Sequence, residues 1–172
     1  PCSYRGLLAF READALFFFG REEFSARLAE AVHRQPITAI VGPSGSGKSS
    51  VVFAGLLPRL RQEGGWTIVT LRPGGQPLHA LASVLMPLLK PAADESERLA
   101  ETHRLAQALT IHTLPVRSVM DRIQAMQRRS RVGHLLLVVD QFEELYTLSA
   151  NVDTRRRFLD SLLMVAAKTD PA

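Results

Sequence analysis

Glycines at positions 42, 45 and 47, followed at once by Lys48 and Ser49, constrain this chain more than any other feature. Gly42-Pro43-Ser44-Gly45-Ser46-Gly47-Lys48-Ser49 reads G-x-x-x-x-G-K-[ST], the phosphate-binding loop pattern. An apolar run, Ile37 to Val41, precedes it, and a helix-compatible stretch from Lys48 to Leu57 follows, closed by Pro58. The order predicts a buried strand, a loop and a helix. Glycines let the backbone curl into a concave nest whose N–H groups converge on one anion. The helix after the loop turns its positive end toward the same charge. Lys48 is then placed to reach β- and γ-phosphates, and the Ser49 hydroxyl to ligate Mg²⁺. Pro43, Ser44, Ser46 and the following Ser50 complete the expected phosphate cradle. The competing reading is a plain glycine-rich turn.

A second constellation lies downstream. Leu135-Leu136-Leu137-Val138-Val139-Asp140 is a continuous apolar run closed by an acid, the pattern of a parallel strand buried on both faces. Asp140 at the carboxyl end of such a strand is a Walker B candidate, a hard oxygen ligand for Mg²⁺. The alternative is a helix-capping Asp. Glu143 and Glu144 follow, and at least one is expected to orient or deprotonate an attacking water. On a helix adjacent residues point about 100° apart, so one faces the site and the other does not.

Between the two motifs, Trp66 to Leu71 reads as a strand with Arg72-Pro73-Gly74-Gly75 as its exit turn. Arg72 sits where it can approach phosphate or stabilise that turn. Leu78 to Leu89 keeps helical spacing, with Pro87 expected to kink or split it. Helices are expected over Ser96 to Leu109, Val116 to Arg129, Phe142 to Leu148 and Thr154 to Lys168. Ahead of the loop, Glu22 to Arg34 is an amphipathic helix with Phe24, Leu28, Ala31 and Val32 on one face. Strands alternating with helices imply a parallel α/β sheet with ligands at the strands' carboxyl ends.

Composition bounds the rest. The 172 residues suffice for one domain with a real core, and 46% apolar with 22% charged residues is ordinary for a soluble protein. No apolar stretch reaches the length of a membrane span, and Pro1 to Arg5 carries no secretion signal, so a cytoplasmic segment cut from a longer polypeptide is expected. Cys2 is the one cysteine and cannot form an internal disulfide. A net charge of +4 with a pI near 9.8 permits nucleic-acid contact. The basic runs Arg128-Arg129-Ser130-Arg131 and Arg155-Arg156-Arg157 lack interleaved aromatics, so direct nucleic-acid binding is not expected. Five scattered histidines and no cysteine pair argue against zinc, and the absence of a D-x-x-G after Asp140 argues against a GTPase.

Three blocks together resemble the STAND-class P-loop NTPases, and more narrowly the bacterial novel-STAND, NACHT-like modules often joined to WD-type repeats or transcription-regulator domains. They are Tyr4-Arg5-Gly6-Leu7 through Phe17-Phe18-Phe19-Gly20-Arg21-Glu22, Val41 to Ser50 with Ala54-Gly55-Leu56-Leu57-Pro58, and Leu137 to Leu145. The resemblance implies an additional-strand ATPase fold, a three-layer α/β/α parallel sheet. Residues 1–35 would be a lead-in, and 36–172 a nucleotide-binding core that stops before the sensor strand, leaving the sheet incomplete at its C-terminal end. In such a sheet the first strand lacks a neighbour and exposes apolar surface. Phe19, Gly20 and Arg21 match an element that lies near the adenine base. Gln141 departs from the related NACHT-type pattern, which has a small residue after the first acid. The implied function is binding of ATP or ADP with Mg²⁺ and slow hydrolysis, acting as a nucleotide-gated signalling switch that controls oligomerisation or an attached effector. Two alternatives stand beside it, a regulatory nucleotide-binding module with little turnover and an AAA-type nucleic-acid-dependent ATPase.

Overall fold

A computed structural model describes residues 9–111, 113–129, 133–149 and 151–166. The Tyr4 to Leu7 block, Cys2 and His112 lie outside them, as do the side chains of the Arg128 to Arg131 run. The described residues form two compact units, one up to Trp66 and one from Thr67 onward.

In the first unit a 3-10 helix, Glu12–Phe17, is entered by Arg11, whose backbone N–H donates to Asp14 Oδ2 at 2.9 Å. Helix α1 (Glu22–Arg34) carries Glu22 and Glu23 in its first turn and His33 and Arg34 in its last, the charge order that complements the helix dipole. Pro36 ends it as expected. Its buried face is Ser25, Leu28 and Ala29, whereas Phe24, assigned to that face from periodicity, is 39% exposed. Helix α2 (Lys48–Ser50) runs through a π-helical segment (Val51–Leu56) into α3 (Leu57–Glu63). The helix is therefore not closed at Pro58. Proline lacks only an N–H, and at the start of α3, after the widened π turn, its ring escapes the clash it would meet in a regular helix interior. Val51, Phe53, Leu56, Leu57 and Leu60 are buried along this run.

Ile37 to Val41 does not form the expected buried strand. Ile37 is half exposed and Val41 almost fully so. A strand is stable only when its N–H and C=O groups pair with a neighbour, and among the described residues none lies alongside.

The second unit begins at Thr67, inside β1 (Trp66–Leu71), and continues through α4 (Pro77–Leu89), α5 (Glu95–Thr110), α6 (Val116–Arg129), β2 (His134–Val139), α7 (Glu144–Thr147) and α8 (Val152–Ala166). β1 and β2 pair in parallel. Both strands are half-buried rather than buried on both faces, because in a two-stranded sheet each strand is an edge. The core joins Leu71, Leu78, Leu81, Leu85, Leu105, Leu109, Val119, Ile123, Leu145 and Phe158. Pro87 neither splits nor ends α4, which runs on to Leu89. Asp94 caps α5 by accepting from Glu97 N at 2.8 Å, which sets that helix's start. α7 is a single turn, shorter than the Phe142 to Leu148 helix expected. On α8, Phe158, Ser161 and Ala166 face inward while Leu163 is 57% exposed, so the inner stripe is narrower than periodicity implied. Arg155 lies over the Tyr146 ring at 5.7 Å and Arg157 donates to the Thr110 carbonyl, which accounts for two members of that basic run.

Candidate functional site

The 42–49 loop is held by its own geometry. Gly45 (φ 76°) and Gly47 (φ 84°) both occupy the left-handed region, where a side chain is strained. Alternation of such residues with ordinary ones is what turns successive amides inward to make an anion nest. Pro43 O accepts from Ser46 N at 3.3 Å, closing a tight turn, and Gly47 O accepts from Val51 N at 2.9 Å, starting the helix. Lys48 Nζ donates to Gly42 O and Pro43 O, both at 2.8 Å, so the ammonium spans the loop's mouth. A Cβ on Gly42 would stand 3.1 Å from Ser46 Oγ, a contact that a turn of the serine side chain would relieve. Residues 42–46 are exposed, 47–49 half-buried, and Ser50 is buried. Ser50 Oγ accepts from Phe10 N at 3.1 Å, which ties the lead-in to the helix start. A polyphosphate fits this set: clustered amides, a helix N-terminus and one ammonium.

The adenine-side candidates lie in the same unit. Gly20 (φ 79°) makes the turn into α1, and its N–H donates to Glu22 Oε1 at 2.9 Å. Backbone N–H groups of Glu22 and Gly20, with Arg59 adding to them, hold the Glu22 carboxyl below its ordinary value. Phe19 is 76% exposed, and Arg21 occupies the N-cap position of α1 without a side-chain cap. Phe18, one residue earlier, packs against Phe10 at 5.8 Å between centroids. The three motif residues therefore form an open surface.

In the second unit the strand pairing builds the acidic candidate. Asp140 N donates to Leu71 O at 2.9 Å, extending the ladder by one residue beyond β2. That register sets Arg72 and Asp140 side by side at the carboxyl edge. Arg72 Nε and Nη2 both donate to Asp140 Oδ2, at 3.1 and 2.9 Å. The carboxylate is only 10% exposed and the guanidinium 47%. Sequence reading weighed phosphate contact or turn stabilisation for Arg72 and missed this partner. The signal was present, because residues that follow two paired parallel strands are neighbours. Gln141 next adopts φ 54°, the one non-glycine residue in the left-handed region among those described. Gln141 thus stands at a backbone position that penalises side chains. Its carbonyl accepts from Glu144 N at 2.9 Å. Glu143 is exposed and its carbonyl accepts from Tyr146 and Thr147 N, while Glu144 is half-buried. Both glutamates follow Asp140 within the same turn.

Ser49 and Asp140 offer the hard oxygen donors that Mg²⁺ prefers. Among the described residues no three His, Cys, Asp or Glu side chains cluster as a protein-only metal cage. No described helix is long and apolar enough to cross a membrane.

No curated protein sequence and no solved structure matched the chain. A family model did, that of Novel STAND NTPase 1, over residues 3–172. With a match running nearly end to end over both motifs, the chain belongs to the Novel STAND NTPase 1 family.

Proposed function

We propose that this segment binds ATP with Mg²⁺ and hydrolyses it slowly, as the nucleotide-gated switch of a larger signalling protein. Membership of an NTPase family supports nucleotide binding in general. The observation that carries the specific reading is the 42–49 loop, with two left-handed glycines and the Lys48 ammonium strapped across its mouth. In this reading the amides of Gly42 to Ser50 surround the phosphates and Lys48 balances the β,γ charge. Ser49 and Asp140 supply oxygen ligands to Mg²⁺, which when bound neutralises charge on the transferred phosphoryl group. Glu143 or Glu144 orients the attacking water and accepts its proton. Phe19, Gly20 and Arg21 offer one aromatic face and exposed polar groups to the base. The two-stranded α/β unit then belongs to a three-layer parallel sheet, divided from the lead-in near residue 35. ATP or ADP is the ligand, and oligomerisation or an attached WD-type or DNA-binding domain is the output.

Titration calorimetry on the full-length protein tests this. Mg·ATP is expected to bind, and Lys48→Ala to lose binding. Glu143→Gln or Glu144→Gln is expected to keep binding and lower turnover. Unchanged affinity in the lysine variant rejects the site, and unchanged hydrolysis in both glutamine variants rejects the water-orienting role. A second reading, a regulatory nucleotide site with little turnover, is favoured by the engagement of Asp140 with Arg72. Single-turnover hydrolysis separates the two readings.

A further inference from the structure

We infer that Arg72 is a positioning residue that competes with the divalent cation for the Asp140 carboxylate, so that metal loading and release of Arg72 are one exchange. The inference rests on the reading of Asp140 as a cation ligand. It arises from the juxtaposition of Arg72 and Asp140 at the ends of β1 and β2.

Three observations carry it. The first is geometry: Nε and Nη2 of one guanidinium converge on a single oxygen, Oδ2, at 3.1 and 2.9 Å. A cation that takes this oxygen must displace two charge-assisted hydrogen bonds. The second is burial. A carboxylate that is 10% exposed has lost most of its water and needs a positive partner, while the 47% exposed guanidinium keeps a route back to solvent. The partner able to leave is therefore the arginine. The third is backbone restraint. Arg72 precedes Pro73, and a residue before proline is confined to extended conformations. Pro73 is itself fully buried. Asp140 is fixed from the other strand by its N–H on Leu71 O and by the left-handed Gln141 after it. Neither backbone can drift, so the exchange is made by the Arg72 side chain alone. A resting site of this kind holds its acid already oriented and charge-balanced, and a cation enters it only by displacing the guanidinium.

The test is a Mg²⁺ titration of nucleotide binding, using full-length protein and a fluorescent ATP analogue, with wild type, Arg72→Gln and Arg72→Lys. A half-exposed ion pair opposes a competitor weakly, so Arg72→Gln is expected to lower the half-saturating Mg²⁺ by about five-fold. Arg72→Lys keeps the charge without the fork and is expected to fall between the two. Affinity for the analogue without Mg²⁺ is expected to stay level, a readout that general loss of structure would not leave untouched. An unchanged or raised half-saturating Mg²⁺ in Arg72→Gln overturns the inference. If that variant does not fold, Arg72→Lys decides alone, and a half-saturation equal to wild type overturns it. Failure of wild type to bind the analogue at all rejects the nucleotide site itself, a separate outcome.

Discussion

Substituting Gly55 by alanine isolates what allows α1 to lie against the helix that carries Lys48. A Cβ at Gly55 would stand 2.2 Å from Ser25 Oγ, 3.1 Å from Ser25 Cβ and 3.3 Å from Phe18 Cε1. Rotating the hydroxyl removes the first clash. It leaves the second, because Ser25 Cβ is fixed by the α1 backbone. Overpacking of this kind costs about 1–3 kcal/mol, and one fixed contact with a second against the Phe18 ring places Gly55→Ala near the middle, about 2 kcal/mol. For a unit of this size that lowers Tm by roughly 10 °C. The reporter is built in, since Trp66 is the chain's one tryptophan and its ring meets His33 edge-on at 5.2 Å within the same unit. Urea or thermal unfolding followed by tryptophan fluorescence therefore reads this unit. The compensating change is Ser25→Gly. Glycine inside a helix costs about 1 kcal/mol. Ser25 Oγ is buried without a hydrogen-bond partner, and its removal returns about as much. The single change is expected to be near neutral, and the double variant to recover most of the Gly55→Ala loss, a coupling of about 2 kcal/mol. Gly55→Ala within about 0.5 kcal/mol of wild type, or a penalty that survives Ser25→Gly, would refute the close-approach argument.

Other substitutions probe the second unit. Ile123 is fully buried among α4, α6 and α8, so Ile123→Ala should cost about 3 kcal/mol, read by far-ultraviolet circular dichroism in urea; a loss under 1 kcal/mol would show the site collapses freely. Gln141→Gly should stabilise by about 0.5 kcal/mol, the relief of a left-handed side chain less the added freedom of the unfolded chain; destabilisation would contradict the strained backbone. Glu101 sits below its ordinary carboxyl value of 4.5, first through the hydrogen bond from Lys90, so its contribution is complete above that value and fades as pH falls through the lower folded one. Lys90, raised above 10.5 first by Glu97 and then by Glu101, contributes below that value and loses its share as pH rises further. Lys90→Met should flatten both limbs of the stability profile, and unaltered limbs would mean the network does not persist in solution.

Much of this chain was legible as a string. Residue types at 42–49 dictate a glycine-bent loop feeding a helix, and two apolar runs of strand length reappear as β1 and β2 with nearly the expected bounds. Periodicity also found α5 and α6, because apolar residues at helical spacing are a local signal, while the Asp94 cap that starts α5 was not read from the sequence. Local signals failed where a partner decides. Ile37 to Val41 has strand composition, yet a strand is a relation between two segments, and among the described residues no segment pairs with it. Pro58 reads as a helix end until the π turn before it makes room for the ring. Phe24 and Leu163 have the spacing of core residues, but the width of a buried stripe depends on what packs against it. The Arg72 to Asp140 pair spans 68 positions and exists only because β1 and β2 are in register, a fact no single segment encodes. Chemistry-bearing residues were thus set by the sequence, while their electrostatic partners were chosen by tertiary pairing, since charge and hydrogen bonding act over ångströms in space and not along the chain.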